Sequence, residues 1–251
     1  MTLLDGELTL HGRIMAASNA TFVGEIGDSR VVYKPVAGER PLWDFPGGTL
    51  AHREVAAYAV SEALGWDVVP LTFLRDGPHG VGMVQVWREP DDQRAAVTLV
   101  SEGEVPAGYR HVFDGVDEHD RPISLIHEDS DPLRRMAVFD IVVNNADRKG
   151  GHVLEVAGGH RYGVDHGVTF HTDHKLRTVL WGWAGEPLSD DETVGVQRLV
   201  TALDGGLGDD LEQLLDSFEM ARLRRRCQQL LAAARFPLPR GDWPAIPWPP
   251  F

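Results

Sequence analysis

Apolar and polar positions in the first third of the chain follow two different periods. Two runs rich in β-branched and aromatic residues flank the pair Gly27-Asp28, and this pattern predicts a β-hairpin. A helical period then runs over residues 50–64, with Thr49 as the predicted N-cap and Gly65 as the end. The strands predicted in this part are 21–26, 30–36, 68–74 and 82–87.

The remainder of the chain is predicted to be mainly helical. Residues 89–131 hold twelve acidic side chains against three arginines, together with glycine and proline, so we interpret them as an irregular connection or insert. A buried helix is predicted from Pro132 to about Asn144, followed by the loop NNADRKGGH. The later predictions are a hairpin at 153–156 and 162–164, two or three helices across 190–203 and 210–234, and a proline- and tryptophan-rich tail that docks on the body or on a partner.

Charge and composition exclude several classes of function. The chain has 251 residues and a formal net charge of −14, which repels nucleic-acid phosphates and anionic lipid. Cys227 is the single cysteine, so no intramolecular disulfide can form. Because we find neither a secretion signal nor an apolar run long enough for a membrane helix, we expect a cytoplasmic protein without nucleic-acid binding or stable membrane association.

Lys34 is one of three lysines and lies in the apolar strand VVYKP. A partly buried ammonium group needs an anionic partner, and Glu54 on the following helix is placed by chain order to provide one. Such a pair could position the phosphates of a nucleotide. The alternative is an ordinary strand-edge lysine whose ammonium group reaches solvent.

Two acidic residues mark the later loops. Asp147 lies between a helix and a hairpin, beside Arg148 and Lys149, which we expect to keep it ionised as a proton acceptor for a substrate hydroxyl. Asp165 follows a short apolar run and precedes His166-Gly167, where a carboxylate at a strand end can hold a divalent cation.

Histidines support a rival interpretation. Five of them lie within 23 residues alongside Asp165 and Asp173, and such a set could bind zinc or manganese in a metallohydrolase. Their spacing lacks the adjacent glutamate of a helical zinc-protease motif. The five are His152, His160, His166, His171 and His174.

ADRKGGHVL followed by GVDHG resembles the catalytic loop and metal-binding loop of the phosphatidylinositol 3- and 4-kinase-like superfamily, which includes the HipA-type kinases. SNATF, VVYKP, the REVAAY helix and GMVQVW also occur in the order of a small kinase lobe. The resemblance implies an α+β, two-lobed, protein-kinase-like fold. Its parts would be a β-rich nucleotide-binding lobe at 1–88, the acidic connection at 89–131 and a mainly helical lobe at 132–251.

The resemblance also implies a role for each matching residue. Lys34 would contact the phosphates with Glu54 as its helix partner, Asp147 would be the catalytic aspartate, and Asp165 would bind metal. His152 stands where such kinases usually carry an asparagine as second metal ligand, and imidazole suits manganese better than magnesium. The remaining nucleotide contacts would be Ser18 and Asn19 over the phosphates, and Gln85, Val86 and Trp87 at the linker that meets adenine.

We therefore expect an atypical kinase that transfers the γ-phosphoryl group of ATP, with Mg or Mn, to a hydroxyl of a protein or soluble small molecule. An inositol lipid is disfavoured, because this acidic chain shows no polybasic or amphipathic membrane segment. The alternatives are a nucleotide-binding pseudokinase, an adenylyl transferase and the His/Asp metallohydrolase.

Overall fold

The computed structural model describes residues 6–15, 17, 19–45, 49–91, 95–240 and 243–251. These residues form a mixed α/β structure with antiparallel sheets and a set of helices, so the α+β part of the prediction is confirmed. The two-lobed layout and its residue boundaries stay predictions. No helix within the described ranges is long and apolar enough to cross a membrane.

A five-stranded antiparallel sheet opens the chain, in the order β1-β2-β3-β5-β4. Val31 and Tyr33 of the third strand are buried on one face of the sheet, in a small cluster with Leu8, Ile26 and Val84. Because successive side chains alternate between faces, Lys34 lies on the opposite face. The strands are β1 (Leu8–Arg13), β2 (Phe22–Ile26), β3 (Ser29–Pro35), β4 (Thr72–Gly77) and β5 (Gly80–Val86).

Helix α1 (Leu50–Leu64) has the predicted bounds, but its N-cap differs from the prediction. Thr49 has a left-handed backbone, with φ of 42°, and its side chain makes no capping hydrogen bond. The Glu39 carboxylate instead accepts hydrogen bonds from the backbone N–H groups of Leu50 and Ala51, both at 2.8 Å. A glutamate eleven residues before the helix is outside the local patterns that identify caps. The prediction that Thr49 caps α1 is therefore wrong.

Residues 97–128 hold regular strands, so the predicted irregular structure is wrong here, while the role of 89–131 as a connection or insert stays a prediction. They contain an antiparallel sheet in the order β6-β8-β7, built from β6 (Val97–Ser101), β7 (Tyr109–Val116) and β8 (Pro122–Glu128). Charges in the turns, such as Asp117, Glu118 and Asp120, conceal the strand pattern in the sequence. Leu125 and Ile126 of β8 are fully buried in the protein core, which supplies the stabilisation that an exposed acidic insert would lack.

The later helices follow their capping signals. Ser130 accepts a hydrogen bond from Leu133 at the start of α2 (Asp131–Val143), and Asn144 ends that helix in a left-handed conformation. Three helices follow across the region where two or three were predicted, because Asp216 caps a new start after a short break. They are α3 (Asp190–Leu203), α4 (Gly206–Leu211) and α5 (Ser217–Ala233), and the predicted hairpin before them is β9 (Val153–Glu155) with β10 (Arg161–Gly163).

One large hydrophobic core joins the helices. It includes Leu64 of α1, Phe139 of α2, Leu199 of α3 and Leu223 of α5, all fully buried. The C-terminal segment docks on this body: the Trp181 indole donates to the Ala245 carbonyl at 2.8 Å. The core therefore holds α1, the helix that carries Glu54, rigidly against the elements that carry the later loops.

Candidate active site

Lys34 lies between two carboxylates contributed by distant parts of the chain. Its Nζ donates to Glu54 Oε1 at 2.6 Å and to Asp165 Oδ1 at 2.8 Å. Burial alone would lower the pKa of this ammonium group, but Asp165 and Glu54 outweigh burial and raise the pKa above its ordinary value. Lys34 is therefore fully charged at neutral pH, and the pairing with Glu54 expected from the sequence is present.

Glu54 is buried and uses both carboxylate oxygens. While Oε1 accepts from Lys34, Oε2 accepts from the backbone N–H of His166 at 2.8 Å. One side chain thus joins strand β3, helix α1 and the loop that follows β10. This geometry fixes the distance from the lysine to the Asp165 loop.

Asp165 has a left-handed backbone conformation, with φ of 62°, and its side chain is 55% exposed. The Lys34 ammonium is the largest influence on this carboxyl group and holds its pKa well below the usual range. A non-glycine residue at positive φ is uncommon, and here the strained turn presents one carboxylate oxygen to Lys34 and the other toward His152.

His152 connects Asp165 to the loop of Asp147. Its Nδ1 lies 2.8 Å from the Asp147 carbonyl oxygen, and since a carbonyl only accepts, Nδ1 carries the hydrogen. Burial lowers the pKa of His152, so the neutral ring leaves a lone pair on Nε2. That atom lies 3.5 Å from Asp165 Oδ2, so two acceptors face each other. A cation between them would satisfy both.

Asp147 follows α2 in the loop that also contains His152. Its backbone N–H donates to Asn145 Oδ1 at 3.0 Å, and its side chain is half-buried. Burial raises the pKa of this carboxyl group, while the Lys149 ammonium opposes the rise. The expectation that Arg148 also helps to keep Asp147 ionised is wrong, because the Arg148 guanidinium points into the core.

Arg148 holds the two site loops together, a role that sequence reasoning missed. It forms a completely buried ion pair with Asp140 of α2, at 2.9 Å. The same guanidinium donates to the carbonyl oxygens of His152 and Val164, at 3.1 and 3.2 Å. Arg148 therefore fixes Val164, which precedes Asp165, relative to His152, whose ring faces Asp165. The signal available in the sequence is a polar residue, Asp140, within the apolar face of α2.

The structure describes four of the five other residues predicted to contact the nucleotide. Asn19 accepts from the backbone N–H of Arg40 at 2.9 Å, and Ser18 lies outside the described residues. Gln85 is buried and donates to Thr72 Oγ1, while the backbone N–H groups of Val86 and Trp87 donate to the carbonyls of Leu71 and Arg30. None of these contacts joins them to Lys34, so their roles stay predictions.

The five clustered histidines do not converge on one point. His166 is buried against Arg148, His160 bonds to the Asp67 carbonyl, and His171 lies edge-on to Phe45. Within the part of the chain that the structure describes, no group of three or more histidine, cysteine or acidic side chains is arranged to hold a metal ion. A metallohydrolase site made of protein ligands alone therefore has no support in these residues.

These elements define a mixed α/β protein whose charged centre is assembled from a strand, a helix and two loops. No family model matches the chain. Protein Rv2133c of Mycobacterium tuberculosis (strain ATCC 25618 / H37Rv) is 50% identical over 262 aligned positions, which cover 99% of this chain and 94% of the relative. The chain belongs to the family of that mycobacterial protein.

Among solved structures, the crystal structure of the Helicobacter pylori proinflammatory kinase CtkA is similar over 92% of this chain and 94% of that chain. The two chains are 12% identical, and the TM-score is 0.47. A similarity of this size supports neither a fold nor a reaction for this chain.

Proposed function

We propose that this protein is an ATP-dependent kinase that transfers the γ-phosphoryl group to a hydroxyl of a protein or soluble small molecule. The observation that carries this proposal is that Glu54 and Asp165 both lie within 2.8 Å of the Lys34 ammonium group, although Asp165 is 131 residues from Lys34 in the sequence. A lysine oriented by a buried glutamate beside an exposed aspartate can bind nucleotide phosphates and their metal ion.

Asp165 and His152 are the residues that would hold a divalent cation. The carboxylate is half-exposed, and the free lone pair of His152 Nε2 faces it across 3.5 Å. The carboxylate suits either Mg²⁺ or Mn²⁺, whereas the imidazole suits Mn²⁺ better than Mg²⁺. When bound, the ion would neutralise phosphate charge. Lys34, which pairs with the same Asp165 carboxylate, would then contact phosphate oxygens.

Asp147 would accept the proton of the substrate hydroxyl. As the hydroxyl oxygen forms its bond to the γ-phosphorus, the bond from that phosphorus to the β,γ-bridging oxygen breaks, and ADP leaves with the electron pair. The elevated pKa of Asp147 makes it a stronger base than an exposed aspartate. The hydrogen bond from His152 to the Asp147 carbonyl links the proposed base to one of the two proposed metal ligands.

Replacing Lys34 should weaken ATP binding. We expect Lys34→Met to lose at least about tenfold in ATP affinity, because a charged hydrogen bond contributes roughly 1.5–3 kcal/mol. Equilibrium titration with a fluorescent ATP analogue and Mg²⁺ measures this change. Lys175→Met is the control, since it also removes a lysine that pairs with a carboxylate, here Asp44 at 3.0 Å. Equal affinities of the two variants would remove Lys34 from a nucleotide site.

Changing His152 should alter the metal preference. In His152→Asn, which supplies an oxygen ligand, we expect the ratio of manganese-dependent to magnesium-dependent ATP binding to fall at least severalfold. Paired titrations with each metal give the ratio, and His160→Asn is the control because His160 bonds to the Asp67 carbonyl elsewhere. An unchanged ratio would show that His152 does not ligate the ion.

The reaction itself is tested by incubating the protein with ATP labelled separately in the γ-phosphoryl and adenylate groups. Transfer of the γ-label to protein or to an added hydroxyl compound supports the kinase. Transfer of the adenylate label identifies an adenylyl transferase, and release of free phosphate alone identifies a hydrolase. Binding of ATP without any turnover identifies a pseudokinase, and each of these three results overturns the proposal.

A further inference from the structure

A cleft lies on the helical side of the molecule, away from the candidate active site. It has a volume of about 790 Å³ and is enclosed by the end of α2, one side of α5 and the segments 172–176 and 235–240. None of the residues proposed above for nucleotide, metal or catalysis lines it. The cleft is therefore a separate feature, and its interpretation does not depend on the proposed kinase activity.

The lining of this cleft is strongly basic in a protein of net charge −14. Arg225 and Arg226 follow Arg222 by three and four residues, so all three arginines project toward one side of α5. Within the described part of the chain, neither Arg222 nor Arg225 has an ion pair. By contrast Arg224, on another side of the same helix, pairs with Asp204 at 2.5 Å. The other lining arginines are Arg235 and Arg240.

Arg226 is held in place at the wall of the cleft. Its Nε donates to the Val142 carbonyl at 2.8 Å and its Nη1 to the His171 carbonyl at 3.4 Å. Its Nη2 is buried without a hydrogen-bond partner. Burial lowers the pKa of Arg226 to about 10. A buried guanidinium nitrogen without an acceptor is costly, so Arg226 keeps an unsatisfied donor beside this wall of the cleft.

The cleft has little negative charge of its own. Asp173 is the acidic member of its lining, and that side chain is 77% exposed. The rest of the wall is largely apolar and includes Leu230, Phe236 and Leu238. This combination suits a ligand that carries several negative charges at one end and an apolar or planar body at the other.

We infer that this cleft binds a small, soluble organic molecule that carries phosphate groups. Guanidinium groups match phosphate oxygens in bidentate geometry, and Arg222 and Arg225, which have no ion pair among the described residues, favour a ligand with more than one anionic charge. The volume lies in the range of small-molecule pockets. The acidic surface elsewhere disfavours a nucleic acid or an anionic membrane as the source of phosphate.

The proposal is tested with inorganic tripolyphosphate as the ligand, titrated calorimetrically into metal-free protein that carries Lys34→Met. This background removes the phosphate contact of the proposed nucleotide site. We expect binding in the background protein, with a loss of at least about tenfold in affinity in Arg222→Gln/Arg225→Gln. Both side chains are exposed, so the fold should be retained, which thermal melting verifies.

The matched control is Arg224→Gln/Arg121→Gln in the same Lys34→Met background, which removes the same amount of positive charge. Arg224 lies on α5 but outside the cleft, and Arg121 lies outside the cleft as well. This control variant should bind tripolyphosphate as well as the background protein does. An equal loss in both double variants would indicate diffuse charge attraction and overturn the proposal. Absence of tripolyphosphate binding in the Lys34→Met protein would overturn the proposal as well. If the wild-type protein then still bound tripolyphosphate, the anion would be assigned to the nucleotide site.

Discussion

Asp147→Asn is expected to reduce phosphoryl transfer by roughly a hundredfold to ten-thousandfold, the usual contribution of a group that transfers a proton in the transition state. Asparagine keeps the shape of the side chain but cannot accept the proton of the acceptor hydroxyl. The loop should keep its conformation, since its contacts use the Asp147 backbone: the N–H donates to Asn145 and the carbonyl accepts from His152. Rates of γ-label transfer under saturating ATP measure the effect.

Binding measurements separate catalysis from assembly of the site. ATP affinity should change little in Asp147→Asn, because the proposed phosphate and metal contacts belong to Lys34, Asp165 and His152. Asp210→Asn is the control, because that exposed carboxylate lies on α4, outside both the centre and the arginine-lined cleft. Full transfer activity in Asp147→Asn would refute the assignment of the base. Loss of ATP binding would instead indicate that Asp147 holds the metal or the loop.

Among the variants proposed here, Arg148→Met is expected to lower the free energy of unfolding the most. It leaves Asp140 as an unpaired charge in a completely buried position, and breaking one partner of such a pair costs about 3–5 kcal/mol. For a chain of this size that loss corresponds to roughly 6 to 20 °C in the melting midpoint. The same change removes the hydrogen bonds to the carbonyls of His152 and Val164, so ATP affinity should also fall.

A double variant distinguishes the buried charge from the loss of packing. In Arg148→Met/Asp140→Leu no charge stays unpaired, so part of the melting midpoint should return. The functional loss should not return, because the guanidinium that joins the two loops is still absent. Arg121→Met, which breaks an exposed pair with Asp117, should leave the melting midpoint nearly unchanged. If Arg148→Met melted like wild type, the structural role assigned to the pair would be wrong.

Local patterns in the sequence determined much of the secondary structure. The hairpin of β2 and β3 follows from alternation around Gly27-Asp28, and α1 and α2 follow from helical spacing that ends at Gly65 and Asn144. These features depend on residues within a few positions of one another. The same local chemistry singled out Lys34, because an ammonium group in an apolar strand requires a carboxylate wherever the chain folds. Chain order then named Glu54 as that partner.

Only the tertiary structure decided which polar groups meet across long separations. Glu39 caps α1, Asp165 becomes the second partner of Lys34, and Arg148 turns into the core to pair with Asp140. The acidic segment 97–128 becomes a sheet because the body of the protein buries Leu125 and Ile126. The arginine-lined cleft likewise joins α5 to segments that the sequence leaves far from it. Hydrogen bonds and burial depend on distance in space, and a local pattern carries no information about partners that folding brings from more than a few turns away.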